Sequence, residues 1–170
     1  MLKLNVCRCS CEEFTYKLSE TASVESLSIK VVNITATKVI AVESSSSSTI
    51  SYHRALEGYK ILVAYIQVEN IYVKSMHLNS SNIASAVVAS RGLLELARSS
   101  KLEYSNKATY DTAVMIAREH LWEEINVDLE PEESYTIALT FLVPESTNIQ
   151  YLLLKVEFQT IAFSVSGYQS

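Results

Sequence analysis

The chain has 170 residues, 48% of them hydrophobic, which is enough to build one domain around a core that needs no metal or disulfide staple. Its 14 basic residues are outnumbered by 19 acidic ones, and the resulting charge of −5 opposes the phosphate contacts that dominate nucleic-acid binding. DNA, RNA and anionic membrane surfaces are therefore not expected as partners.

No run of about eighteen apolar residues occurs, and the opening MLKLNVCRCSC lacks the apolar stretch of a signal peptide. No membrane insertion is expected, and the predicted location is cytoplasmic, with the cell surface or a virion as the alternative. Residues 2–11 read as a first strand, with Leu2, Leu4 and Val6 on one face and Cys7, Cys9 and Cys11 on the other. Neighbouring cysteines there stand roughly 7 Å apart, from a rise of about 3.3 Å per residue. That spacing is too long for a bridge between neighbours and too splayed for one zinc ion. Free thiols near a terminus are the plain reading. An intermolecular disulfide and a metal or redox site are the alternatives.

Residues 1–26 form an N-terminal segment whose second half, from Glu12, is polar and reads as a loop or weak strand. Leu27, Ile29 and Val31 alternate with Ser28 and Lys30, the period-two signature of a half-buried strand, and residues 37–42 follow as a short strand. Residues 44–49 are serine-rich and low in hydrophobicity, so an exposed loop is expected there.

The stretch GYKILVAYIQVEN, residues 58–70, is the centre of the chain. Leu62, Ala64 and Ile66 fall on one side, Ile61, Val63 and Tyr65 on the other, so this strand requires cover on both faces, from an appended helix or from a partner. Residues 72–78 read as a further strand entering a turn at 79–82, and residues 83–96 are compatible with either helix or strand. Ala113, Ile116, Ala117, His120 and Leu121 recur at spacings of three and four, which predicts a helical insertion over residues 108–124. Arg118, Glu119, His120 and Glu123 or Glu124 would be presented together on it, as a solvated face or, alternatively, a catalytic or partner-binding cluster.

Tyr135, Ile137, Leu139, Phe141 and Val143 alternate along a strand that ends at Pro144. Leu152, Leu154, Val156 and Phe158 form the inward set of the next strand, and Ile161, Phe163 and Val165 continue it in the opposite parity. A bulge or tight turn near Gln159 and Thr160 is expected to restore the register. Strands that do not alternate with helices predict a mainly β, antiparallel, immunoglobulin-like β-sandwich of seven to nine strands with one or two short helical insertions, formed by residues 1–170 as a single domain.

Gly58, Gly92 and Gly167 are the only glycines, so no phosphate cradle, dinucleotide fingerprint or nucleophile elbow can be written from this chain. His53, His77 and His120 are scattered, and the adjacent pairs Glu12 with Glu13 and Glu132 with Glu133 do not converge for acid/base work. The chain is expected to be no enzyme and to hold no cofactor. Tyrosine buries a ring and keeps a polar tip, so core packing is the first reading of Tyr59, Tyr65, Tyr72 and Tyr135, with an interaction surface as the alternative.

From Glu57 to Val165 the order of signals resembles a family of small immunoglobulin-like domains of unknown function, similar to the secreted immunoprotective antigen domain of bacteria. GYKILVAYIQVEN, LEPEESYTIALTFLVPE and the closing strand 151–158 carry the resemblance. Glu132 and Glu133 stand where that pattern usually has a glycine. The resemblance implies a binding or adhesion-type module with no catalytic residues. The Ile, Ser and Tyr richness with few glycines also resembles chains of thermophilic archaea or their viruses. The expected function is a non-enzymatic module that contacts a protein partner or itself, a homo-oligomer included. A structural component of a viral particle or surface layer, and a small hydrolase or metal enzyme, are the rival readings.

Overall fold

A computed structural model describes residues 15–47, 49–89, 92–94, 102–105 and 113–165. The strand expected over residues 2–11, with Cys7, Cys9 and Cys11, lies outside the described residues.

Residues 12–26, expected as a loop or weak strand, contribute two short strands, β1 (Thr15–Lys17) and β2 (Thr21–Val24). The long β3 (Leu27–Thr37) leads into a hairpin of β4 (Val39–Glu43) and β5 (Ile50–Ala55), closed by the serine-rich loop with Ser44 N donating to Thr49 O. The central strand β6 (Tyr59–Asn70) is followed by β7 (Met76–Asn79), β8 (Ile83–Ala89), β9 (Gly92–Leu94), β10 (Leu102–Ser105) and β11 (Val114–Ala117). Then come two 3-10 turns, Arg118–His120 and Trp122–Glu124, and the strands β12 (Asn126–Leu129), β13 (Ser134–Pro144), β14 (Ile149–Val156) and β15 (Gln159–Ser164).

Two sheets form the sandwich, β1-β15-β14-β8-β9 facing β13-β6-β3-β2, and β7 and β12 pair in a separate ribbon whose Leu78 and Leu129 join the main core. Leaving aside the edges and insertions, the chain lays β3 and β6 in one sheet, β8 and β9 in the other, returns for β13 and finishes with β14 and β15. This is the visiting order of an immunoglobulin-like sandwich, not the paired Greek keys of a jelly roll. Fifteen strands appear among the described residues, more than the seven to nine expected, because short edge and ribbon strands add to the long ones. Two of the edge pairings, β1 with β15 and β11 with β4, are parallel.

The alternation of β6 becomes two separate cores. Leu62, Ala64, Ile66 and Val68 point into the sandwich with Ile137, Leu139, Phe141 and Val143 of β13. Ile61 and Val63 point the other way, with Ala138 and Leu142, under a third sheet of order β10-β5-β4-β11 that supplies Ile40, Val42, Ala55 and Ile116. The cover expected of a helix or partner is thus provided by a folded-over sheet from the same chain.

Three sequence expectations are corrected here, and one left open is resolved. The helix predicted within 108–124 is absent from its described part. Val114 and Ile116 instead extend the third sheet along β4, and residues 118–124 make the two 3-10 turns. β-Branched Val114 and Ile116 suit an edge strand, and the second turn buries Trp122 in the main core. The strand predicted from Tyr72 begins only at Met76, because residues 72–74 bend. Residues 83–89 are strand throughout. Phe158 does not point inward: it is 96% exposed, since a two-residue turn at Glu157 and Phe158 sets Val156 opposite Gln159 and restores the parity earlier than expected.

Backbone strain is managed with few glycines. Gly58, at φ +80, occupies the third position of the turn from Leu56 to Tyr59, where a left-handed residue is needed. Elsewhere Glu25, Glu132 and Glu157 take positive φ values of 53, 67 and 52. A second device is a bulge in β3, where the register shifts between Val31 and Asn33 and throws Val32 outward, moving the buried set from Leu27, Ile29 and Val31 to Ile34.

Candidate functional site

Asn70, the last residue of β6, is the one buried polar side chain among the described residues. Its Nδ2 donates to Lys74 O and Leu129 O, each at 2.9 Å, and its Oδ1 accepts from Tyr72 N at 2.9 Å. Its backbone joins in: Asn70 N donates to Glu133 O at 2.9 Å and Asn70 O accepts from Glu132 N at 2.8 Å. Ile71 N donates to Ser26 O at 2.9 Å, and Ser75 Oγ donates to Glu130 Oε2 at 2.7 Å. Asn70 thereby ties the β6–β7 loop to the β12–β13 turn, and the neighbouring Ile71 amide adds the β2–β3 turn to the same end of the sandwich. A buried amide with both ends bonded fixes such loops far better than water-exposed contacts would.

That framework presents an apolar tip. Ile71, Tyr72 and Val73 follow one another in the loop and are 46%, 50% and 79% exposed. Three consecutive open apolar side chains on a fixed loop differ from the scattered exposed apolar residues of an ordinary surface.

The four tyrosines singled out in the sequence do not form one patch. Tyr72 lies at the tip. Tyr59 and Tyr65, six residues apart on the same side of β6, are half-buried against the second core, and burial raises the Tyr65 phenol above its ordinary pKa. Tyr135 packs against the main core, and its hydroxyl donates to Glu119 O at 2.9 Å. Burial first, and then the Glu119 carboxylate, raise its pKa. Tyr135 also lies 5.0 Å, centroid to centroid, from His120, whose Nδ1 is 2.7 Å from Thr136 O. Its work is to fasten the first 3-10 turn to β13.

The histidines stay apart. His77 Nδ1 is 2.7 Å from Asp128 Oδ1 across the exposed side of the β7–β12 ribbon, and His120 stands against Tyr135. Among the described residues no three His, Cys, Asp or Glu side chains gather as metal ligands. Arg118 and Glu124, expected on one helical side, form an exposed ion pair of 3.2 Å between the two 3-10 turns. A shallow cleft of about 380 Å³ opens between the β7–β8 turn and β13, lined by Ser80, Ser81, Ser85, Trp122, Glu123 and Thr140 among others. It contains one carboxylate and no histidine, so it offers no acid/base pair.

His53, on β5, is held below the usual imidazole pKa of 6.5 by burial and, to a lesser degree, by Arg118. The unfolded chain therefore takes up the proton first as the pH falls. Stability from this residue is complete above about pH 6.5 and declines as the pH drops through that value towards the lowered folded pKa. The His53→Gln variant is expected to lose less stability than the parent between about pH 7.5 and about pH 5.5 in urea titrations. An equal loss in both chains would contradict the assignment.

Asn70 and the LEPEES turn were both visible in the sequence, the first as the end of the long strand and the second as a turn. Their bonding was not, because Asn70 and Leu129 lie 59 positions apart. The signal that could have found it is the asparagine itself, a polar residue in phase with the apolar series Leu62, Ala64, Ile66 and Val68.

No protein-family model matches the chain, and no curated protein matches it in sequence. Among solved structures the chain is similar to an uncharacterized β-sandwich protein from Clostridium difficile 630, at 12% identity over 90% of this chain and 94% of that one, with a TM-score of 0.53. It is similar to the yjhA protein from Bacillus subtilis at 9% identity, over 88% of this chain and 98% of that one, with a TM-score of 0.54. A conserved hypothetical protein from Bacillus anthracis gives 12% identity, 86% and 94% coverage and a TM-score of 0.50. At such identities the likeness concerns the fold alone, a β-sandwich. No helix among the described residues is long and apolar enough to cross a membrane.

Proposed function

We propose that this β-sandwich is a non-enzymatic module that contacts a protein partner through the loop end organised by Asn70. The observation that carries the reading is the exposed run Ile71, Tyr72 and Val73 on a loop fixed by a fully buried asparagine. A fixed apolar tip loses less conformational entropy on docking than a mobile one, and burying its exposed surface favours association. The residues behind the likeness to the immunoprotective antigen domain, the GYKILVAYIQVEN strand and the LEPEES turn, are the ones that meet at Asn70, which supports a role in contact over one in chemistry. The strand order supports this reading over a particle scaffold, since the paired Greek keys of a jelly roll are missing from it.

Ser at both Tyr72 and Val73 is expected to leave stability within about 0.5 kcal/mol of the parent, because neither side chain belongs to a core. A photo-crosslinking residue at position 73 is expected to capture a protein from host extract, and the same residue at position 43, on the third sheet, to capture none. Equal capture at the two positions, or none at 73, would overturn the proposal.

A further inference from the structure

We infer that the partner of this loop end is a protein surface bearing lysine or arginine side chains around an apolar depression, and not a second copy of this chain; this rests on the contact reading above. The turns bonded to the tip carry Glu25, Glu130, Glu132 and Glu133, Glu69 precedes Asn70 on β6, and Lys74 is the cation of the tip loop itself. Two of these carboxylates are fixed by the loops themselves. Glu130 Oε2 accepts from Ser75 Oγ, on the same loop as the apolar tip, and Glu133 Oε2 accepts from Glu130 N at 2.8 Å.

Two others occupy positions where turn geometry favours another residue. Glu133 N donates to Glu130 O, so Pro131 and Glu132 are the central pair of a turn whose second central residue, at φ 67, would ordinarily be glycine. Glu25 holds φ 53 in the β2–β3 turn. Both turns bond directly to the β6–β7 loop, through Ser26 O to Ile71 N and through Glu132 N to Asn70 O. Glutamate at each of these left-handed positions places a carboxylate on a turn that is bonded to the tip loop. An apolar centre ringed by one sign of charge selects a partner with the opposite ring, and two copies meeting tip to tip would oppose like carboxylates.

The test uses two synthetic amphipathic peptides of equal length, one of Lys and Leu, one of Glu and Leu, with the full chain. The Lys/Leu peptide is expected to shift the amide resonances of residues 71–73, Glu25 and Glu130 to Glu133, and to weaken about tenfold between low and physiological salt. Glu25→Gln, Glu130→Gln and Glu132→Gln together are expected to lower its affinity by about tenfold, whereas Glu43→Gln with Glu103→Gln, exposed and remote, leaves it unchanged. Glutamine at 130 keeps an oxygen for Ser75, and the salt titration of the parent chain reads the same charges without any substitution.

Equal binding of the two peptides, an unaltered affinity in the triple variant, or dimerisation of the concentrated chain through the same residues would overturn the inference. If Tyr72→Ser with Val73→Ser abolishes binding of both peptides while the glutamates prove silent, the contact surface stands and the cationic partner falls. If those two substitutions leave binding intact, the contact reading itself fails.

Discussion

Asn70→Ala is expected to lower stability by about 3 kcal/mol, a large share of what a domain of this size possesses. The substitution leaves Leu129 O, which is buried, without its donor, and strips Lys74 O and Tyr72 N of partners that water only partly replaces. One buried orphan costs about 1–3 kcal/mol, and two half-buried ones add about 1 kcal/mol between them. The loss falls on the β6–β7 loop and the β12–β13 turn together, so amide exchange at Tyr72 and at Glu132 is expected to accelerate while the β6–β13 ladder keeps its protection.

Asn70→Asp sharpens the case. Aspartate keeps the acceptor for Tyr72 N but sets a carboxylate oxygen where Nδ2 donates to two carbonyls at 2.9 Å. Burial and those carbonyls both disfavour the charged form, so its folded pKa rises above the ordinary carboxylate value. The penalty is then present at neutral pH and shrinks as the pH falls through the raised pKa, where the protonated acid can again donate. Urea midpoints of both variants across acid to neutral pH check this. An alanine variant within about 1 kcal/mol of the parent would show that the loops do not depend on Asn70.

The parts of the fold that were legible in the sequence are those where burial repeats every second residue without interruption. The two faces of β6 and the run from Ile137 to Val143 were assigned correctly because each position contacts a sheet through its own parity. The predicted helix failed for an instructive reason. Ala113, Ile116, Ala117 and Leu121 fit helical spacing by position, yet Ile116 is buried as part of an edge strand paired with Val42, and Leu121 bridges to Ala138 of β13. Tertiary pairing overrides a pattern that short. The bulge at Val32 was hidden because it changes the phase by one residue, which no local composition records, whereas the phase change of the last hairpin was legible in the parity shift and only its place, Glu157 and Phe158 instead of Gln159 and Thr160, was not. Of the site, Tyr72 was legible as an amphipathic residue and the LEPEES turn as a turn. The acidic ring depends on which loops meet, and that is settled by sheet order.

Phe163→Ala and Phe158→Ser form the second test, with the largest contrast the fold allows. The two phenylalanines lie five positions apart on either side of the phase change, and the sequence placed both inside. The structure separates them completely: Phe163 is 0% exposed and packs on Tyr16 at 5.7 Å between ring centroids, whereas Phe158 is 96% exposed at the β14–β15 turn. Removing the Phe163 ring leaves a cavity opposite Leu152, in the sheet that closes the main core, and the expected cost is about 3–5 kcal/mol. Tyr16 sits on β1, which is held to the fold by its parallel pairing with β15, so the same substitution is expected to release β1 and raise amide exchange there before global unfolding. Phe158→Ser removes no buried contact and is expected to change stability by less than about 0.5 kcal/mol. Chemical denaturation of the two variants decides the register of the final hairpin directly. Comparable losses in both would return Phe158 to the core and shift every inward side chain of β15 by one position.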